Sequence, residues 1–125
     1  MTTNFELEEI VKKLTFKTKF LGCYMKDQIP PKQKNCWFIA NLNPSTKNDR
    51  GHWVLCWNGS ESVYYSSVGD PPPPEFIKWY DGYILTSNFQ IQQFDTSICG
   101  EISILIAFFL DHGCDFKDII LELPQ

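Results

Sequence analysis

Hydrophobic and polar positions change period several times along the chain, and each change marks an element. Thr3-Asn4 followed by Glu6 opens a capped amphipathic helix over 6–14, with Phe5, Ile10, Val11 and Leu14 on its apolar face. Residues 22–35 are loop-like and contain Gly22, Pro30 and Pro31. Three apolar, β-branched or aromatic runs follow at 36–42, 52–57 and 62–68, separated by the turn-rich stretches 43–51 and 58–60. That succession predicts an antiparallel meander. The prolines at 71–74 form a stiff connector into a helix over 75–80, since proline is tolerated in a first turn. Residues 83–87 and 89–92 supply a further strand. The clearest helix begins near Cys99-Gly100 and runs to His112, with Gly113 as its C-cap. Its middle, 102–110, is apolar almost all round, so it is expected to be central and buried. A last helix occupies 116–121. The fold class expected is α+β: a small antiparallel or mixed sheet packed on that helix, in one domain over 1–125.

Composition narrows the classes of function. The apolar stretch 102–110 covers nine positions and includes Ser103, about half of the 18–20 residues a membrane-crossing helix needs. The start, Met1-Thr2-Thr3-Asn4-Phe5-Glu6, has neither a basic region nor an apolar core, so no secretory signal is expected and the chain reads as a soluble intracellular domain. Charge is segregated. Residues 1–50 hold nine Lys/Arg against five Asp/Glu, whereas 51–125 hold two against ten. A basic half can meet nucleic acid or an acidic partner, but the overall pI of about 5.0 favours ordinary solvated lysines.

Cys23, Cys36, Cys56, Cys99 and Cys114 form no C-x-x-C pair and no Cys/His cluster, so neither structural zinc nor another cofactor is expected. Most are read as small core hydrophobes with reduced thiols, Cys36 and Cys56 within strands. Cys99 differs by position. It stands where the polar loop 92–97 enters the long helix, and amide N–H groups at a helix start favour thiolate, the form a cysteine nucleophile needs. Its other reading is a buried spectator. Of two histidines, His112 lies 13 residues further along the same helix, roughly 20 Å at 1.5 Å per residue, too far to serve as a base. His52, after the Gly51 turn and at the start of a strand, is the remaining candidate.

These residues carry a resemblance. Gly51-His52-Trp53-Val54-Leu55-Cys56-Trp57, then Val63-Tyr64-Tyr65-Ser66-Ser67-Val68-Gly69, then Gln92 and Thr96-Ser97-Ile98-Cys99-Gly100 resemble the adenain-like cysteine proteases. These are the adenovirus-type endopeptidases, also found in Maverick/Polinton elements and virophages and related to the Ulp/SENP SUMO proteases. The resemblance implies His52 as general base, Cys99 as nucleophile at the N-terminus of the buried helix, and Gln92 as oxyanion donor, with Gln93 as runner-up. It implies Trp53 beside a substrate cleft that admits small residues such as glycine; a buried aromatic of the sheet is the other reading. The third triad position departs from the family. Relatives carry Asp or Glu three residues before the glycine matching Gly69, and here that residue is Ser66, with Asp70 as the alternative.

The activity implied by the resemblance is that of a thiol endopeptidase, which cleaves viral or mobile-element precursors after glycine through an acyl-enzyme. Its partner is a protein or peptide substrate and its place the host cytoplasm, the nucleus or the virion; the oligomeric state is left open, with a monomer expected. Two alternatives stand beside it: a weak or inactive module that binds a peptide or ubiquitin-like tail, and a deubiquitinase or deSUMOylase. Adenovirus enzymes bind DNA, but the acidic 51–125 segment, with Asp70, Asp95 and Glu101 near the proposed site residues, repels phosphate. The first prediction is therefore no tight duplex binding and no DNA-dependent rate at about 0.15 M salt. A fluorescence titration against duplex at two salt concentrations checks it; submicromolar, salt-sensitive affinity overturns it.

Overall fold

The structure, a computed structural model, describes residues 3–43, 51–87 and 98–122. Its elements run α1 (Asn4–Lys12), β1 (Lys19–Met25), a 3-10 turn (Lys26–Gln28), β2 (Cys36–Asn41), β3 (Trp53–Asn58), β4 (Ser62–Tyr65), α2 (Pro74–Ile77), β5 (Leu85–Thr86), α3 (Cys99–Asp111) and α4 (Phe116–Glu122). The expected meander is β2-β3-β4, which pair antiparallel. Two strands widen it. β1 lies parallel to β2 and β5 parallel to β4, so the sheet is mixed, in order β1-β2-β3-β4-β5. The sequence hid β1 because Gly22, at φ +128°, sits in a register shift between Phe20 and Cys23 that breaks the two-residue period. The expected strand at 83–87 narrows to β5, and 89–92 lie outside the described residues.

Every residue of β2 and β3 is buried. Alternation therefore sorts their side chains into two cores rather than one wet and one dry face. On one face Trp37, Ile39, Trp53, Leu55, Trp57, Val63 and Tyr65 meet α1, α3 and α4. On the other, Phe38, Ala40, Val54, Cys56 and Tyr64 meet Phe76, Trp79 and Tyr80. The proline-rich connector and α2 thus close a second layer that the expected sheet-on-helix arrangement lacked. Trp79 Nε1 donates to Pro31 O at 3.2 Å, and Tyr80 OH to Val63 O at 2.7 Å. A Lys32–Asp81 ion pair fastens the same layer from outside.

The helices depart from the sequence reading in which faces they bury. In α1 the expected capping box forms between Thr3 and Glu6, but Leu7 and Val11 face the core while Phe5 and Leu14 are exposed. α3 is not buried all round. Cys99, Gly100, Ser103, Ile104, Ile106, Ala107 and Leu110 face inward, whereas Leu105 and Phe109 are exposed. Its end matches expectation: Gly113, at φ +89°, follows the last turn, with Gly113 N bonded to Leu110 O and Cys114 N to Phe109 O. Asp111 anchors that end by accepting from the amides of Lys17 and Thr18, both at 2.8 Å.

At the opposite end, α1 and α3 meet through the fully buried Leu7 and Gly100. A Cβ built on Gly100 would stand 2.6 Å from Leu7 Cδ2 and 2.8 Å from Cδ1. This contact generates the second prediction. Gly100→Ala should lose about 1–3 kcal/mol through overpacking, despite alanine's advantage of roughly 1 kcal/mol in a helix. Leu7→Ala should lose about 2–5 kcal/mol. The double variant should lose clearly less than the two together, because the smaller side chain makes room for the new methyl. Urea unfolding of the four chains reads this; strict additivity refutes the contact.

Candidate active site

The start of β3 is held from β2. Asn41 is fully buried, and its Oδ1 accepts from Asn43 N at 2.8 Å. Gly51 lies so close to this pair that a Cβ there would collide with Asn41 Oδ1 and Asn43. Leu42 N donates to His52 O at 2.9 Å, which extends the β2-β3 pairing by one more bond and fixes the backbone that carries the imidazole. The ring reaches β4: His52 Nε2 stands 3.0 Å from Ser66 Oγ. Ser66 is buried immediately after β4. Gly69, at φ +80°, closes the following turn by donating its amide to Ser66 O at 2.9 Å.

The sulfur comes from the other layer. Cys99 is the first residue of α3, and the Leu7–Gly100 contact settles that turn on α1. Ser103 Oγ donates to Cys99 O at 2.9 Å. Trp53 N donates to Cys99 Sγ at 3.2 Å. The thiol is thus bound by the amide next to His52, although 46 residues separate Trp53 from Cys99. Cys99, His52 and Ser66 form one constellation at the junction of β3, β4 and α3.

No family model, curated protein or solved structure matches this chain.

Ser66, not Asp70, is at hydrogen-bond distance from the imidazole; Asp70 is exposed and acts on His52 through its charge. The Trp53 side chain is 1% exposed within the sheet core. This matches the buried-aromatic reading, and it is the backbone amide of Trp53 that reaches the sulfur. Gln92 and Gln93 lie outside the described residues. His112 caps its own helix, its Nδ1–H donating to Phe108 O at 2.8 Å. Among the described residues no group of His, Cys, Asp and Glu could hold a metal ion, and no helix is long and apolar enough to cross a membrane. The sequence reading missed Asn41. A polar residue ending an otherwise apolar run and facing a glycine was the available signal.

Burial sets the electrostatics and reverses one expectation. At Cys99, burial pushes the thiol above its usual 9.0; the amides of Trp53, Gly100 and Cys99 itself pull it down without winning, and Glu101 adds to the rise. The helix-start effect is present, but a site 1% exposed penalises the thiolate more. At His52, burial likewise lowers the imidazole below 6.5, partly offset by Asp70. Both shifts favour a neutral thiol beside a neutral imidazole over a preformed ion pair.

The third prediction is the pH dependence of stability. His52 has a depressed folded pKa, so its contribution is complete above 6.5 and is lost as pH falls through the lower folded value. Cys99 has a raised one, so its contribution is complete below 9.0 and is lost as pH climbs toward the higher folded value. His52→Gln should flatten the acid slope of the urea midpoint and Cys99→Ser the alkaline slope. Unchanged slopes in both variants would refute the burial account.

Proposed function

We propose that the chain is a thiol endopeptidase of the adenain-like kind, acting on viral or mobile-element precursor proteins after glycine. The observation that carries this reading is the 3.2 Å bond from Trp53 N to Cys99 Sγ, which brings the candidate nucleophile beside the residue that carries the candidate base. The 3.0 Å approach of Ser66 to His52 Nε2 supports it, since a hydroxyl there can orient the imidazole. In the productive tautomer Nε2–H donates to Ser66 and Nδ1 takes the thiol proton as sulfur attacks the carbonyl carbon. The proton then passes to the leaving amine, and water resolves the thioester. Because burial favours the neutral form of both groups, His52 acts as a general base in the attack itself. Amides around the sulfur, with Gln92 where the resemblance puts it, would receive the oxyanion.

A weak or inactive peptide-binding module is the second reading. Two observations favour it: the hydroxyl of Ser66 stands where relatives have a carboxylate, and burial raises the thiol.

Labelling with a peptide vinyl methyl ester ending in glycine decides between them, and it generates the fourth prediction. Wild type should label at one cysteine and cleave glycine-containing peptides. Cys99→Ala should lose both by at least about a thousandfold. Ser66→Ala should cost roughly fivefold in kcat/KM, the worth of one orienting hydrogen bond of about 1 kcal/mol. Ser66→Asp should raise kcat/KM, because a carboxylate stabilises the imidazolium as well as orienting it. Labelling that survives Cys99→Ala sinks the nucleophile assignment. Absence of labelling and cleavage in wild type selects the binding module, and selective capture by a ubiquitin or SUMO probe selects the deconjugating enzyme.

A further inference from the structure

α3 carries an apolar seam that the described residues leave open. Ile98, Ile102, Leu105 and Phe109 follow one another at intervals of four, three and four, the spacing that keeps side chains on one helix face. Ile98, Leu105 and Phe109 are 44%, 45% and 39% exposed, and Ile102 between them is partly buried against the core. From Ile98 to Phe109 the seam is about 16 Å long at 1.5 Å per residue. At its C-terminal end it opens into a groove of about 380 Å³ between α3 and α4, with Phe109, Ile119 and Cys114 lining it alongside Asp118 and Glu122. Both of these acidic residues are exposed.

Scattered exposed apolar residues are ordinary; a row continuous with an apolar groove marks an interaction surface. Its charge identifies the occupant. The groove is flanked by carboxylates, and the 51–125 segment as a whole holds ten acidic residues against two basic ones. An acidic peptide or an anionic lipid surface would be repelled, whereas a cationic helix is attracted. We propose that the α3 seam and the α3–α4 groove dock an amphipathic helix of a partner protein, with its apolar stripe on Leu105 and Phe109 and its Lys/Arg flank on Asp118 and Glu122. The proposal is independent of peptidase activity, since none of these residues belongs to the Cys99 constellation.

Fluorescence anisotropy tests it with a labelled helical peptide of about 14 residues, long enough to cover the seam. The peptide carries leucine at heptad a and d positions and lysine elsewhere. A second peptide has the same leucines with glutamate in place of lysine. The lysine peptide should bind wild type, more weakly as salt rises, and the glutamate peptide at least about tenfold less well. Leu105→Lys and the pair Asp118→Lys/Glu122→Lys should each weaken the lysine peptide about tenfold or more. Ile77→Lys, on α2 at the opposite face of the sheet, should leave it unchanged. The substituted positions are exposed, and thermal melts matching wild type separate loss of binding from loss of fold. Equal affinity for both peptides, insensitivity to the α3 and α4 changes, or no binding below about 1 mM overturns the proposal. So does concentration-dependent dimerisation abolished by Phe109→Lys, which gives the seam to a second copy.

Discussion

Burial of β2 and β3 on both faces is the constraint on which the rest of the fold depends. A strand with one wet face needs one apolar partner layer; two strands buried throughout need two. On one side the partners are helices, led by α3 against β3. On the other side, among the described residues, the cover comes mainly from the proline-rich segment and the short α2. The chain compensates with aromatic rings, as where Trp79 meets Phe38 edge-on at 4.7 Å between centroids. The edges are managed differently. β1 is interrupted by its register shift, and the amide of Cys23 is taken up by Glu8 of α1 at 3.2 Å.

The Cys99 constellation inherits its character from that burial. Its three parts come from α3, the lead into β3 and the end of β4, and their meeting depends on two glycines that act by lacking a side chain. Gly100 lets α1 settle on the first turn of α3, and Gly51 lets the chain pass against Asn41. Enclosure of this kind disfavours charge. The amides around the sulfur and the charge of Asp70 work toward an ion pair, while desolvation works against it and prevails at both residues. Ser66 suits such a site, because a hydroxyl can orient an imidazole without adding a buried charge.

Opposite demands meet in α3. Its inward face is needed for the core, and its first turn presents the sulfur. Yet Leu105 and Phe109 remain apolar at exposed positions, where polar residues would serve a simple surface helix. Segregated acidity around the α3–α4 groove adds direction to that otherwise unspecific surface.

The α+β class, the capping box, the central strands, the proline connector and α3 with its glycine stop were all legible in the sequence, and Cys99, His52 and Ser66 were named there as site candidates. Each rests on a local signal: a period, a turn residue, a cap or a short motif. Strand β1 was not legible, because its bulge erases the period and its partner lies beyond a loop. Nor was the inward face of α1 correctly read, since Phe5 and Leu7 are both apolar and only the approach of Gly100 selects Leu7. The same holds for the bond from Trp53 N to Cys99 Sγ, which joins residues 46 apart and has no local signal in the sequence. The protonation bias at Cys99 belongs wholly to the tertiary structure. A helix start can be read from neighbouring residues, but the water excluded from it depends on segments distant in the chain, and here that exclusion decides the sign.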